Sequence, residues 1–88
     1  MSTTVQLPVE SDAELVVYYD DLADDCYSRS LDALAKSDEW DRRADHASDA
    51  ETRNACKSHA RDSFAAADRL LKESHRWTKV ADDFREIT

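Results

Sequence analysis

The chain contains no glycine and one proline, Pro8. A phosphate-cradling loop, a dinucleotide fingerprint and a nucleophile elbow each need glycine for a left-handed backbone or a close approach. None of those sites is therefore expected. Cysteine is limited to Cys26 and Cys56, too few for a secreted disulfide scaffold. Two reduced thiols at partly buried helix positions are expected, with one Cys26–Cys56 bridge as the alternative. Large apolar side chains are also scarce: 7 Leu, 5 Val, 2 Phe and 1 Ile stand beside 13 Ala in 88 residues. So small a core makes self-association or partner-assisted folding an expectation. There is no run of 18 apolar residues, so no membrane span is predicted. No apolar run follows a basic stretch near the N-terminus, so no secretory leader is expected and the predicted location is cytoplasmic.

Basic residues are missing from the first half. The net charge is −8. Residues 1–40 hold ten acidic and two basic side chains, whereas 41–88 hold ten of each. A chain with this balance is a poor direct ligand for nucleic acid or anionic membrane, because phosphate neutralisation needs Lys and Arg.

What is present reads as helix. Residues 1–10 look like an extended arm, with Pro8 disfavouring helix at Leu7. Ser11-Asp12-Ala13-Glu14 has the pattern of a capping box. Beyond it Leu15, Val16, Tyr19, Leu22, Ala23, Cys26, Tyr27, Leu31 and Leu34 recur in steps of three and four, predicting an amphipathic helix. Val16-Val17-Tyr18-Tyr19 favours strand locally and gives a rival reading there. Ser37 suggests a cap for a second helix. Acid-first pairs Asp38–Arg42, Glu39–Arg43, Asp49–Arg53 and Asp68–Lys72 support helix beyond it. Ser48-Asp49-Ala50-Glu51 repeats the tetrapeptide of 11–14. A 37-residue shift also superposes Ala23 on Ala60, Asp25 on Asp62, Leu34 on Leu71, Ser37 on Ser74 and Trp40 on Trp77, with Tyr27 falling on Phe64. Internal duplication and compositional coincidence both account for these matches.

The expected fold is all-α: an arm (1–10) and one helical domain (11–88). Its helices span about 12–36, 38–47 and 49–86, with a continuous helix over the last two as the alternative, forming a hairpin or a three-helix bundle. If the first helix ended at 36, a hairpin would leave Phe64, Leu70, Leu71, Trp77, Val80 and Phe84 uncovered. Phe64, Leu70, Trp77, Val80 and Phe84 are accordingly the candidate self-association residues, with a homodimer as the expected state.

Catalytic and metal chemistry find little purchase. Cys56-x-x-His59 followed by Asp62 lacks the further ligands that zinc needs. His59, Asp62 and Ser63 would share one helix with no oxyanion donors. The pairs Asp24/Asp25 and Asp82/Asp83 have no evident pocket to separate their pKa values. No enzyme activity, metal or cofactor is expected. The acid-rich first helix is the informative feature. Asp20, Asp21, Asp24, Asp25 and Asp32 lie off its apolar stripe, with Tyr18 on the side of Asp21 and Asp25. Asp20–Asp24 and Asp21–Asp25 are like-charge i,i+4 pairs, which cost helix stability. These six residues are the candidate partner-binding site. The function expected is a small acidic binding protein that docks this helix on a basic, nucleic-acid-binding protein surface and inhibits it by charge mimicry. The alternative is a self-assembling helical adaptor or structural subunit.

Overall fold

The structure, a computed structural model, describes residues 12–87 and the side chains of 13–86. The arm at 1–10 and the Ser11 end of the first capping box lie outside the described residues. Two helices account for the rest: α1 (Asp12–Asp45) and α2 (Ala50–Ile87), packed together as a helical hairpin. At 1.5 Å per residue they are about 51 and 57 Å long. The β-favouring run at 16–19 is helical, because tertiary packing overrides local propensity.

The break expected at Ser37 does not occur. Ser37 is buried in the middle of α1, and the chain reverses at residues 46–49. Helices at 12–36 and 38–47 are therefore one helix, and the bundle has two helices rather than three. The second tetrapeptide does mark a helix start, with Asp49 rather than Ser48 as its cap. The Thr52 amide donates to Asp49 Oδ1 at 2.7 Å, satisfying one of the free donors of the first turn. At the other side of the turn, Arg42 and Arg43 place positive charge at the C-terminal end of α1.

The seam explains why Ser37 does not act as a cap. The innermost positions recur in steps of four and three, each buried or half-buried: 16, 19, 23, 26, 30, 33, 37, 40 and 44 on α1, then 56, 60, 63, 67, 70, 74, 77, 81 and 84 on α2. This is a heptad seam. One of its two positions is small from residue 23 of α1 and residue 60 of α2 onwards: Ala23, Ser30, Ser37 and Ala44 face Ala60, Ala67, Ser74 and Ala81, and all eight are buried, with Val16 closing the row at the start of α1. Small side chains at every seventh residue let the two backbones approach closely. Ser37 Oγ donates to the Ala60 carbonyl at 2.9 Å, and Ser74 Oγ donates to the Ala23 carbonyl at 2.8 Å. A side chain as short as serine reaches the backbone across the interface only where the helices nearly touch.

Those two hydrogen bonds exchange under the 37-residue shift: Ser37 becomes Ser74 and Ala60 becomes Ala23. The hairpin therefore has a pseudo-twofold axis near Ser30 and Ala67, and the repeat matches Ala23/Ala60, Ser37/Ser74 and Trp40/Trp77 occupy equivalent seam positions. Ala44/Ala81 extends the match.

The larger side chains occupy the other seam position and splay to its edges. Tyr19 stacks on Trp77 at 5.4 Å and on Phe84 at 5.7 Å. Trp40 stacks on His59 at 4.4 Å, with the Arg43 guanidinium 4.7 Å from the Trp40 ring centre. Among the described residues no large side chain is completely buried. The two cysteines are buried and free. The register set by the serine bonds places Cys56 opposite residue 41. Cys26 is therefore about 22 Å away along the axis, too far for an intrachain disulfide.

Ala60→Leu forces the backbones apart and should cost about 1–3 kcal/mol. Ser37→Ala and Ser74→Ala should each cost about 1 kcal/mol, and equally, as equivalent positions of the repeat. Urea unfolding followed by circular dichroism at one fixed protein concentration measures all three; a neutral change at one serine and a costly one at the other would break the equivalence. Asp49 supplies a pH test. Its pKa is held below the ordinary 3.8 by hydrogen bonds from the Thr52 backbone and side chain, and then by the nearby Arg53 charge. A lowered folded-state pKa contributes stability above 3.8 that is lost as pH falls through the folded value. The melting temperature should thus fall relative to Asp49→Asn, a cap that does not titrate, as pH is lowered from neutrality past 3.8.

Candidate functional site

The heptad register sorts every surface residue of the hairpin by direction. On α1 the outward positions between residues 13 and 41 hold Glu14, Asp21, Asp24, Asp25, Asp32, Asp38 and Glu39, and no Lys or Arg. All but the half-buried Glu39 are exposed. The acidic surface thus runs from Glu14 to Glu39, about 38 Å of helix. The outward face of α2 is mixed, carrying Arg61, Arg69, Lys72, Arg76 and Lys79 among its acids.

Pairing follows the same division. On α2, Lys72 pairs with Asp68 at 3.0 Å, Arg76 with Glu73 at 3.1 Å and Arg85 with Asp82 at 2.6 Å. On α1, Arg29 stands 3.7 Å from Asp25, and Glu39 takes both Arg42 and Arg43. Of the expected acid-first pairs, Glu39–Arg43 and Asp68–Lys72 form. Glu39 replaces Asp38 as the partner of Arg42, and Asp49 is engaged as a cap. Among the described residues, Asp21, Asp24 and Asp32 have no cation within ion-pair distance.

The six candidate partner-binding residues separate in this geometry. Tyr18, Asp21, Asp24, Asp25 and Asp32 lie on the outward face of α1 and are exposed. Asp20 turns to the side of the hairpin and pairs with Arg85 of α2. That pair joins residues 65 apart and has no local sequence signal. Tyr18 is half exposed and packs edge-on against Tyr19 at 5.2 Å. Beside it a shallow depression of about 410 Å³ is lined by Ala13, Glu14, Val17 and Tyr18.

The candidate self-association stripe has a different fate. Because α1 continues to Asp45, its N-terminal half covers the segment expected to be bare. Leu70, Trp77 and Phe84 are half-buried in the seam, Trp77 and Phe84 against Tyr19, and Val80 is half-buried at its edge. Phe64 alone of the five is exposed, at 61%. The large exposed apolar side chains are instead concentrated on α1: Val17, Tyr18, Tyr27, Leu31 and Leu34. Reasoning from the sequence missed Leu31 and Leu34 as surface residues, because steps of three and four fit a broad apolar stripe as well as the narrow seam. Tyr27 and Phe64 were detectable through their equivalence in the repeat.

Among the described residues no group of three or more His, Cys, Asp or Glu is arranged to hold a metal ion, and no helix is long and apolar enough to cross a membrane. Comparisons with protein families, curated proteins and solved structures find no match to this chain.

Neutralising Asp21 relieves its i,i+4 repulsion with Asp25, so Asp21→Asn should stabilise the hairpin by about 0.2–0.5 kcal/mol. Asp20→Asn also relieves repulsion, with Asp24, but removes the Arg85 pair, so it should gain less or lose stability. Thermal melts at low ionic strength measure the difference, which should shrink as salt screens both terms.

Proposed function

We propose that the protein is a non-enzymatic binding module that docks the outward face of α1 on a basic surface of a partner protein. The observation that carries this reading is the uninterrupted acidic face from Glu14 to Glu39, with exposed Tyr18 within it. Complementary charge steers encounter and orients the partner, while an aromatic side chain supplies contact area at low conformational cost. Continuous helical pairing holds the carboxylates at fixed spacing, so little ordering entropy is lost on docking. Asp21, Asp24, Asp25 and Asp32 carry the electrostatic part and Tyr18 the anchoring part.

A basic groove that accepts this helix is chemically suited to nucleic acid as well, and occupation by α1 would then block it. With Asp20 held by Arg85, the four carboxylates from 21 to 32 span about 16 Å of helix. This line is sparser than the phosphates of one DNA strand, at one per 3.4 Å. The reading therefore rests on charge and rigidity rather than on phosphate-by-phosphate copying.

The test is retention of host proteins on the immobilised chain, eluted by a salt gradient and by DNA. A specific partner should elute at moderate salt, be displaced by DNA, and fail to bind the Asp21→Asn/Asp25→Asn/Asp32→Asn variant, whose helicity should be unchanged. A partner that ignores both salt and these substitutions would refute docking through the acidic face. A partner that depends on the acids but is not displaced by DNA would retain docking and remove mimicry.

A further inference from the structure

We infer that a second copy of this chain packs against the side of the hairpin bearing Tyr27, Leu34, Phe64 and Leu71, forming a four-helix bundle in which α1 of each copy lies on α2 of the other. The inference does not rest on the acidic-face reading: its apolar centre lies on the side of the hairpin, and only Asp24 and Asp38, where that side borders the outward face of α1, are common to both.

The side is defined by the register. Tyr27 and Leu34 lie one and two heptads beyond Asp20 on α1, while Leu71 and Phe64 lie two and three heptads before Arg85 on α2. The Asp20–Arg85 pair bridges the two helices on this side at one end. At the other end, a cleft of about 320 Å³ is lined by Ser37, Asp41, Lys57, Ala60, Arg61 and Phe64, bringing both helices to the same surface. Between these markers lies an apolar patch. Tyr27 is 50% and Phe64 61% exposed, Leu31 and Leu34 are exposed beside them, and Leu71 is half-buried. The 37-residue shift carries Tyr27 onto Phe64 and Leu34 onto Leu71. The patch is therefore centred on the pseudo-twofold axis, with one aromatic and one leucine from each helix.

Three considerations point to a second copy as the occupant. The first is the shortage of core: the buried seam is Ala, Ser and Cys, and among the described residues no large side chain is fully buried. A chain of this size with such a core is of the kind that oligomerises for stability. The second is charge. Around the patch, α1 carries only acids, Asp20, Asp24, Asp38 and Asp41, while α2 carries Lys57, Arg61 and Arg85, with Asp68 and Asp82 engaged by Lys72 and Arg85 of the same helix. A molecular twofold parallel to the helices sets α1 on the partner's α2. It brings Asp38 and Asp41 towards Lys57 and Arg61 of the other copy, and Asp24 towards the Arg85 end. A twofold across the helices would set acid on acid and base on base. The third is packing direction: the favoured arrangement leaves every helix antiparallel to its neighbours, the usual up-down geometry of four-helix bundles. It also satisfies the self-complementarity that a twofold interface requires.

The test is the association state of the full chain by sedimentation equilibrium over a range of concentrations, with helicity recorded in parallel. The wild-type chain should dimerise. Leu34→Asp/Phe64→Asp alters side chains already exposed in the single hairpin, so it should keep its helicity while the dimer dissociation constant rises by roughly a hundredfold or more. Lys57→Glu/Arg61→Glu should weaken the dimer, and adding Asp38→Lys/Asp41→Lys should restore it. A helical wild-type chain that stays monomeric throughout would overturn the inference, as would a dimer indifferent to Leu34→Asp/Phe64→Asp. A dimer tightened by Lys57→Glu/Arg61→Glu would overturn the α1-on-α2 arrangement. Should the Asp substitutions at 34 and 64 lower helicity, Leu34→Gln/Phe64→Gln provides the milder variant, and the charge exchange decides the arrangement by itself.

Discussion

Close approach of two helix backbones is the constraint on which the rest of this structure depends. It requires a small side chain at every seventh residue of both helices, and Ala23, Ser30, Ser37, Ala44, Ala60, Ala67, Ser74 and Ala81 meet that requirement along the interface. Serine serves as well as alanine because its hydroxyl finds the opposite carbonyl, as Ser37 does at Ala60 and Ser74 at Ala23. Those bonds satisfy polar groups that burial would otherwise penalise. They also fix the register, since a slip of one residue would remove each hydroxyl from its acceptor.

A seam built in this way leaves little room for bulk. Tyr19, Trp40, Trp77 and Phe84 cannot insert between the helices and instead stack along the edges of the seam. Their rings remain half covered, so apolar stabilisation is distributed along the hairpin rather than concentrated in a sealed core. Tyr27, Leu31, Leu34 and Phe64 are one step further out and are exposed in the single hairpin. The tight seam and the exposed patch thus have one cause: the closer the two backbones lie, the less apolar side chain they enclose.

Much of this was legible in the sequence. The spacing of three and four identified helices, the Ser-Asp-Ala-Glu repeat marked the start of α2, and the lack of glycine in the turn did not hide it. The local signal at Lys36-Ser37-Asp38 misled, because serine before an acidic residue suits a helix cap as well as it suits a small seam position. Only the recurrence of small residues at 23, 30, 37 and 44 distinguishes the two roles, and it becomes meaningful once a partner helix with the same recurrence faces it. Ending α1 too early then made Leu70, Trp77 and Phe84 look uncovered. The Asp20–Arg85 pair was beyond reach, since it depends on the register of two helices whose pairing no local pattern reveals.

The repeat also separates what the seam demands from what it leaves free. Equivalent seam positions agree: Ala23 with Ala60, Ser37 with Ser74, Trp40 with Trp77 and Ala44 with Ala81. Among equivalent outward positions Asp25 and Asp62 agree, but others differ in sign: Asp24 corresponds to Arg61 and Asp32 to Arg69. Packing within one hairpin imposes no such difference, because outward residues touch neither helix of the pair. Solubility alone does not require it either, since net charge serves that purpose wherever it is placed. An acidic back on one helix and a balanced back on the other distinguishes the two in a way that suits recognition: the acid-rich helix can face a basic partner, while its own complement, the base-bearing helix of a second copy, is available at the side.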